Sequence, residues 1–209
     1  FNGTLTVGRA SIKPPKAVII KNKGPGKPVV LVGKGVTFDT GGYNLKPGRS
    51  MNDMHTDMSG GAAVLGTMKA LQDLGIKKNV IGIIPMAENV VSGSAYKPGD
   101  VIQAMNGVTV EIGNTDAEGR LLLMDALCYA KKLNPEVTID MATLTGAVKY
   151  ALGVLTAGAF TNNEELWKEL LLAGKASGDK VWRLPMWEEY DRYIKGEVAD
   201  WSNSGRGTA

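Results

Sequence analysis

The strongest constraint on the fold is the apolar run Asn79–Ala87, in which polar residues do not alternate with apolar ones. A strand with one solvated face shows that alternation, so this run indicates a strand that is covered on both faces. Such strands belong to mainly parallel sheets with helices on either side. Val137–Thr143 has the same character, and shorter β-branched runs occur at Ala17–Lys21 and Pro28–Gly33.

Helical patterns lie between these strands. Apolar residues of Gly60–Leu74 recur at helical spacing, and Gly75 stands where helices commonly end. The alternation predicts an α/β fold, a three-layer αβα arrangement with a mainly parallel, mixed central sheet flanked by helices. Further predicted elements are strands at Val108–Ile112, Gly153–Thr161 and Val181–Leu184, helices at Gly119–Leu133, Glu164–Ala176 and Trp187–Ile194, and a hairpin turn at Gly24–Lys27 between the first two strands.

Composition excludes several classes of protein. The 24 Lys and Arg residues against 21 Asp and Glu give a net charge of +3, too small and too evenly spread for a nucleic-acid or membrane surface. No apolar run reaches the roughly 18 residues of a membrane span. The single cysteine, Cys128, excludes an intrachain disulfide and fits a reducing compartment, and the single histidine, His55, excludes metal sites that need two. Carboxylates and lysines must therefore carry most of any chemistry.

Charged residues collect among glycines in three loops at or near predicted strand ends. The chain has 27 glycines, and clustered glycines indicate tight turns or close backbone approach. Ligands of open α/β sheets bind beyond the carboxyl ends of the strands, so we expect the loops to converge. The loops are Gly33–Gly42 followed by Lys46, Asp53–Asp57 and Asn114–Arg120, and their convergence would bring together Asp39, Asp57, Asp116 and Glu118 with Lys34, Lys46 and Arg120.

Four carboxylates in one place repel one another unless some are protonated or a cation joins them. Carboxylate oxygens suit hard or borderline divalent ions, and one carboxylate can bridge two ions. Two ions about 3.5–4 Å apart can share a water and lower its pKa toward neutrality. Convergence of the loops would therefore favour a site for two divalent cations.

Each of these residues also has an ordinary structural explanation. Asp57 before a helix is typical of a capping residue, and Lys34 between glycines is typical of a solvated turn. Asp116, Glu118 and Arg120 could form a surface ion pair of little energetic value. Other catalytic motifs do not occur, because the sequence contains neither a P-loop nor a Gly-x-Ser-x-Gly elbow.

The three loop sequences stand in one order along the chain. They are Gly33-Lys-Gly-Val-Thr-Phe-Asp-Thr-Gly-Gly42, Met51–Gly61 with Lys46-Pro47 before it, and Asn114-Thr-Asp-Ala-Glu-Gly-Arg-Leu121. The last is similar to the signature octapeptide of the leucine aminopeptidase (cytosol aminopeptidase) family of dinuclear-zinc exopeptidases. The other loops resemble motifs of the same family in the same order, and the resemblance extends from about Gly3 to the end of the chain.

The resemblance implies two divalent metal ions per chain, zinc or manganese, with magnesium or cobalt as alternatives. It assigns the readily exchanged ion to Lys34, Asp39, Asp57 and Glu118. The tighter ion is assigned to Asp39, Asp116 and Glu118, together with the backbone carbonyl of Asp116. Lys34 can coordinate only as a neutral amine, so metal charge would have to lower its pKa.

The resemblance also implies the reaction, which is hydrolysis of the N-terminal peptide bond by a water that bridges the two ions. Lys46 would polarise the scissile carbonyl and stabilise the charge that develops on its oxygen. Arg120 would hold a bicarbonate ion that relays the proton to the leaving amine. The substrate would contact Asp39, Lys46, Asp57 and Asp116, and Leu-like first residues would enter a pocket formed by Met54, Asn114, Thr143, Leu144 and Gly146.

The same resemblance implies peptide substrates, a homo-oligomer (a hexamer in the family) and a cytoplasmic location, with no nucleic-acid or membrane partner. Residues 1–209 would form part of one metallo-aminopeptidase catalytic domain, without the N-terminal domain and the C-terminal end of the family's proteins. Phe1 at the start and the loop-like Trp201–Ala209 fit such a segment. His55 and Thr56 stand where the family has other residues.

Two other functions stay open on the sequence. Such a segment could be catalytically silent and only bind metal or peptide, which metal loading without turnover would indicate. The glycine-rich loops could instead cradle phosphate in a nucleotide- or anion-binding α/β module. Four carboxylates would repel phosphate unless metal ions intervened, so phosphate binding that persists in chelator would be needed to support this alternative.

Overall fold

The computed structural model describes residues 1–205, and the chain divides into two compact units. Within the described residues, the first contains Phe1–Leu144 and residues 194–205, and the second contains Thr145–Tyr193. The α-helices are α1 (Asn2–Gly8), α2 (Ser59–Asp73), α3 (Gly119–Lys132), α4 (Ala147–Leu152) and α5 (Glu164–Ser177). The β-strands are β1 (Lys16–Asn22), β2 (Val29–Gly33), β3 (Gly35–Asp39), β4 (Val80–Asn89), β5 (Val101–Gln103), β6 (Thr109–Glu111), β7 (Val137–Met141), β8 (Thr156–Ala159), β9 (Lys180–Arg183) and β10 (Trp201–Ser202).

A five-stranded sheet forms the centre of the first unit. Its strand order is β1-β4-β2-β7, and β3 pairs with the far end of β4. Only β1 runs antiparallel to its neighbour; the pairs β2–β4, β2–β7 and β3–β4 are parallel. The predicted mixed, mainly parallel sheet is confirmed.

Side chains of the inner strands alternate between two cores, because successive residues of a strand point to opposite faces. On β2, Leu31 packs in a cluster with residues of α2, whereas Val30 and Val32 pack in a cluster with residues of α3. The residues of β4 divide in the same way. Val7 of α1 belongs to a third cluster, which it shares with residues of β3 and α3. Helices thus cover both faces, as the αβα class requires.

The predicted hairpin between the first two strands is wrong. β4 lies between β1 and β2, antiparallel to the first and parallel to the second. β4 is ten residues long and almost wholly buried, so its backbone amides and carbonyls need partner strands along both edges. β1 and β2 supply these partners, and the short turn at Gly24–Lys27 only connects them.

Several other elements differ from expectation. The segment Gly33–Gly42, predicted as a loop, contains β3. β7 is half-buried, whereas its apolar run predicted burial on both faces, because it ends the strand order of the sheet in the part of the chain that the structure describes. Trp187–Ile194 contains a 3-10 helix at Glu188–Tyr193 in place of an α-helix.

Two smaller sheets complete the described chain. In the first unit, β5, β6 and β10 form a sheet of order β10-β6-β5. In the second unit, β8 and β9 pair in parallel, and α5 begins where the side chain of Asn163 accepts a hydrogen bond from the Leu166 backbone N–H at 3.0 Å. Among residues 1–205, none of the helices combines the length and the apolar character that a membrane crossing demands.

Candidate metal centre

Several segments end at one edge of the central sheet. Lys34 directly follows β2, Asp39 ends β3 and Asn89 ends β4. Parallel strands carry their carboxyl ends to the same edge, which is where ligands of open α/β sheets bind. Glu118 precedes α3, and Asp57 follows a 3-10 helix at Met54–Thr56. The structure thus brings the three predicted loops together.

Three carboxylates meet at this edge. Asp39, Asp57 and Glu118 each offer one oxygen, and these oxygens lie within 4.8 Å of one another. The residues are 2%, 5% and 1% exposed, respectively. A buried carboxylate is costly unless opposite charge and hydrogen bonds compensate it. The cluster therefore requires cations, and two lysines lie beside it.

Lys34 is the first of these cations. Its Nζ lies 2.8 Å from Asp57 Oδ2 and 2.8 Å from Glu118 Oε1, and it donates to the Thr143 carbonyl at 3.0 Å. Burial lowers the pKa of Lys34, but the charges of Glu118 and Asp57 outweigh burial and hold the pKa above its ordinary value. A metal ion on Lys34 would therefore have to displace a proton from the amine.

Lys46 is the second cation and connects Asp116 to the cluster. Its Nζ lies 2.9 Å from Asp39 Oδ2 and 2.6 Å from Asp116 Oδ1. Burial lowers the pKa of Lys46, but the hydrogen bonds to Asp116 and Asp39 outweigh it and raise the pKa above its ordinary value. Lys46 is consequently charged at neutral pH. The Asp116 side chain is one-third exposed, so it lies at the rim.

The two lysines do not fully compensate the negative charge of the carboxyl groups. Burial raises the pKa of Glu118 to about 7, with Asp39 adding to the effect and Lys34 opposing it. Burial also raises the pKa of Asp57, and the charge of Lys34 partly offsets this rise. Burial likewise raises the pKa of Asp116, and the hydrogen bond from Lys46 partly offsets it. Two lysines are thus insufficient to hold all the acids ionised well below neutral pH.

This cluster fits a divalent cation. Asp57 Oδ2, Glu118 Oε1 and Asp116 Oδ1 are buried, and each lies at ion-pair distance from a lysine. Apart from that lysine, none of the three accepts a hydrogen bond from the described residues. Convergent carboxylate oxygens are the ligands that hard and borderline divalent ions prefer.

Arg120 lies in the first turn of α3 and is partly buried. Burial lowers the pKa of its guanidinium, and the charge of Glu118 partly offsets that effect. Within residues 1–205 this side chain forms neither a hydrogen bond nor an ion pair. A guanidinium carries five N–H donors, so Arg120 is free to bind an anion.

Two residues predicted to line a pocket contact the acidic loops. The Thr143 hydroxyl donates to Asp57 Oδ1 at 2.7 Å. Asn114 Oδ1 accepts a hydrogen bond from the backbone N–H of Asp116 at 2.7 Å. Both side chains therefore help to hold a predicted metal ligand in place.

The other predicted pocket residues lie in separate segments of the chain. Met54 is half-buried in the 3-10 helix that precedes Asp57. Leu144 is 41% exposed and ends the first part of the first unit. Gly146 belongs to the second unit, where it precedes α4.

Three of the ordinary explanations for these residues are wrong. Asp57 does not cap α2, because Met58 occupies the N-cap position and no side chain forms a capping hydrogen bond there. Lys34 is 2% exposed and so is not a solvated turn residue. Arg120 pairs with neither Asp116 nor Glu118 among the described residues; Lys46 pairs with Asp116, and Lys34 pairs with Glu118.

Thr115 is a buried residue that connects two loops, and it was not predicted as a site residue. In the sequence, its only distinguishing feature is its place inside the octapeptide. Its Oγ1 donates to the Gly41 carbonyl at 2.6 Å and accepts from the Asn44 backbone N–H at 2.8 Å. Its carbonyl accepts from Asn89 Nδ2 at 3.0 Å and from the Tyr96 hydroxyl at 2.7 Å. Thr115 thus joins the loop after β3 to the loop before α3.

Asn203 holds the other side of the loop before α3 and was not predicted either. Its Oδ1 accepts from the backbone N–H groups of Gly113 and Asn114 at 2.8 and 3.1 Å. Its Nδ2 donates to the carbonyls of Asn114 and Ala117 at 2.7 and 3.2 Å. Asn203 is 2% exposed, and all four of its hydrogen-bonding positions are used.

Comparison with known sequences identifies relatives of the whole chain. Residues 1–209 match the sequence profile of the cytosol aminopeptidase family, catalytic domain. A probable cytosol aminopeptidase from Chlorobaculum tepidum is 54% identical over 209 residues, covering 98% of this chain and 42% of the relative. One from Geotalea uraniireducens is 50% identical over 208 residues, again covering 98% and 42%. The chain therefore spans less than half the length of these relatives.

Solved structures match the same region. The bottromycin maturation enzyme BotP superposes with a TM-score of 0.94 at 40% identity, covering 100% of this chain and 45% of BotP. A structure of BotP in complex with Mn gives a TM-score of 0.95 at 40% identity, covering 100% and 46%. A cytosol aminopeptidase from Coxiella burnetii gives 0.94 at 41% identity, covering 99% and 46%.

Proposed function

The chain belongs to the cytosol aminopeptidase family, and from this premise we propose that the protein is a metal-dependent aminopeptidase that removes N-terminal residues from peptides. Residues 1–209 would form part of its catalytic domain. The observation that carries the proposal is the convergence of oxygens from Asp39, Asp57 and Glu118 within 4.8 Å in a buried site. Membership of a family does not by itself establish the chemistry of a site. A metal-dependent reaction is favoured because these buried carboxylates carry more negative charge than the two neighbouring lysines balance.

We propose a site for two divalent ions in this cluster. Lys34, Asp39, Asp57 and Glu118 would hold one ion, and Asp39, Asp116 and Glu118 the other. When bound, the ions would neutralise the carboxylates and acidify a water toward neutral pH. Zinc or manganese suits these ligands, with magnesium or cobalt as alternatives. The Mn complex of BotP supports manganese as a candidate.

Lys46 would polarise the carbonyl of the scissile peptide bond. Its raised pKa keeps the ammonium group charged, and its position at 2.6 Å from Asp116 and 2.9 Å from Asp39 places that charge at the rim of the cluster. A fixed positive charge stabilises the oxygen more strongly as negative charge develops on it. Lys46 would therefore act mainly on kcat.

Arg120 would bind bicarbonate. The bicarbonate would relay the proton to the leaving amine, a role that a histidine would otherwise have to fill. Two features of this side chain support the assignment: it is partly buried, and no described residue pairs with it. His55 is exposed. The positive guanidinium beside Glu118 gives a small anion its electrostatic attraction.

The acidic cluster would also select for a free N-terminus. A free α-amino group would bind one of the ions through its lone pair and contact the acidic residues Asp39, Asp57 and Asp116, whereas an acylated one would not. Leu-like first residues would be preferred by a pocket that includes Met54, Asn114, Thr143 and Leu144. An apolar pocket discriminates one methylene by only about 1–3 kcal/mol, so this preference would be broad.

The location and assembly of the protein follow from the same family. We propose a cytoplasmic enzyme that works as a homo-oligomer, a hexamer, on peptide substrates and without nucleic-acid or membrane partners. The names of the relatives support the cytoplasm.

The experiment compares hydrolysis of leucyl-p-nitroanilide with that of its N-acetylated form. We expect hydrolysis of the free-amine substrate alone, loss of that hydrolysis in Glu118→Gln, and normal hydrolysis in the control Glu136→Gln, whose exposed carboxylate lies outside the cluster. Equal rates on both substrates would contradict an aminopeptidase. Bound metal without turnover would support the alternative, a catalytically silent segment that only binds metal or peptide.

A further inference from the structure

Asp39 and Asn89 lie opposite each other at the ends of two parallel strands, β3 and β4. Asn89 Nδ2 donates to Asp39 Oδ1 at 2.8 Å and to the Thr115 carbonyl at 3.0 Å. Thr115 immediately precedes Asp116 in the loop that also carries Glu118. One buried amide thus joins Asp39 to the loop that carries two more acids of the centre.

The orientation of this amide is fixed by its surroundings. Both groups that face Nδ2 are acceptors, a carboxylate and a carbonyl, so a flipped amide would direct its oxygen against both. Asn89 is fully buried, and its Oδ1 accepts no hydrogen bond from the described residues. The two hydrogen bonds that Nδ2 donates therefore hold this amide in one orientation.

The amide determines how the two oxygens of Asp39 are used. Oδ1 accepts from Asn89 Nδ2 and from the Gly41 backbone N–H, both at 2.8 Å. Oδ2 instead faces Lys46 Nζ at 2.9 Å. With two donors on Oδ1, the carboxylate cannot rotate without losing both hydrogen bonds. Asn89 therefore fixes which oxygen Asp39 presents to its other neighbours.

We propose that Asn89 is a positioning residue of the metal centre. Its amide orients Asp39 and ties that residue to the loop of Asp116 and Glu118, so affinity for a divalent ion depends on Asn89 although its oxygen is not a ligand. The inference rests on the proposed metal-dependent function. Partners that orient metal ligands typically contribute 10–100-fold to metal affinity.

The test is a Mn²⁺ titration of the whole protein, with free Mn²⁺ measured by electron paramagnetic resonance. Asn89→Leu nearly preserves shape and removes both donors, and we expect the Kd for Mn²⁺ to rise about 10–100-fold. Tyr96→Phe is the matched control, because the Tyr96 hydroxyl donates to the same Thr115 carbonyl from a buried position. We expect Tyr96→Phe to raise the Kd for Mn²⁺ by less than Asn89→Leu, because it removes one hydrogen bond of the loop but leaves both hydrogen bonds to Asp39.

A second variant and a rescue separate positioning from folding. Asn89→Ala serves if Asn89→Leu does not fold, and thermal midpoints establish folding for each variant. Saturating Mn²⁺ should restore leucyl-p-nitroanilide hydrolysis in the Asn89 variants, since the ligands themselves remain.

Three results would overturn the inference. A folded Asn89 variant with the wild-type Kd would do so, and so would equal weakening in Tyr96→Phe, which would indicate a general loss of loop order. In both cases the proposed function would stand. A wild-type protein that binds no Mn²⁺, Zn²⁺, Mg²⁺ or Co²⁺ would overturn the proposed function and this inference together.

Discussion

Gly119 leaves no room for a side chain beside Lys34: a Cβ at Gly119 would lie 2.8 Å from Lys34 Cε and 2.9 Å from its Nζ. The Lys34 ammonium lies between Asp57 and Glu118, so it cannot move away without losing those partners. The glycine at the start of α3 therefore shapes the acidic cluster.

Gly119→Ala should weaken metal binding and also lower stability. The methyl group displaces the Lys34 amine from the buried Asp57 and Glu118 carboxylates, which costs more than the gain of up to about 1 kcal/mol that alanine has over glycine in a helix. A Mn²⁺ titration and a thermal melt measure the two effects. Gly66→Ala in α2 is the control, since its Cβ would meet nothing within 4 Å. A wild-type Kd in Gly119→Ala would contradict this packing argument.

Lys46→Met should lower kcat by about 10²–10³, the usual effect of removing one group that stabilises a developing oxyanion. Methionine keeps much of the aliphatic stem and removes the charge. Bound metal should persist, because Lys46 is not among the proposed ligands. Steady-state kinetics on leucyl-p-nitroanilide and metal analysis measure both, with Lys69→Met on the exposed face of α2 as the control. An unchanged kcat, or loss of the metal, would rule out this role for Lys46.

Asn203→Ala should destabilise the protein by about 1–3 kcal/mol, because it leaves partly buried backbone groups of Gly113, Asn114 and Ala117 without their four hydrogen bonds. Metal affinity should fall as well, since that loop carries Asp116 and Glu118. Urea unfolding and a Mn²⁺ titration measure the two changes. Asn106→Ala removes an exposed asparagine with one hydrogen bond and should change neither. Normal affinity in Asn203→Ala would show that the loop keeps its shape unaided.

Glu88 should stabilise the fold at neutral pH but not in acid. Hydrogen bonds from Lys13 at 2.7 Å and Ser11 at 2.6 Å hold the pKa of Glu88 below its ordinary value of 4.5. The unfolded chain therefore binds a proton more readily, so the stabilisation is present above about pH 4.5 and is lost as pH falls through the folded pKa.

The measurement is urea unfolding of the wild type and Glu88→Gln across that pH range. We expect Glu88→Gln to cost under about 1 kcal/mol at pH 7, because Lys13 is largely exposed. The difference should disappear at the acidic end. Lys13→Met, which removes the main donor, should flatten the pH dependence in the same way. A difference that stays constant with pH would contradict the assignment.

The sequence predicted the parts of the fold that local pattern encodes. The apolar run Asn79–Ala87 became β4, and the periodic segments became α2, α3 and α5. The prediction of a hairpin was wrong because a turn of four residues indicates only that two strands are close in sequence. Insertion of β4 between β1 and β2 depends on long-range pairing, which short sequence windows do not contain.

The residues of the site were likewise predictable only in part. Charge and glycine clustering indicated Lys34, Asp39, Asp57 and Glu118, which the structure brings together. Asn89 and Asn203 gave no such signal, because a buried asparagine that donates to a loop is identical in sequence to one in a surface turn. Only the fold shows which backbone groups each amide contacts.

The most direct test of the central claim is the metal content of the purified protein, measured with leucyl-p-nitroanilide hydrolysis before and after chelation and after Mn²⁺ or Zn²⁺ is added back. We expect two ions per chain, turnover that chelation abolishes and added metal restores, and reduced metal content in Glu118→Gln. Hydrolysis that continues at full rate in metal-free protein, or full metal content in Glu118→Gln, would contradict it.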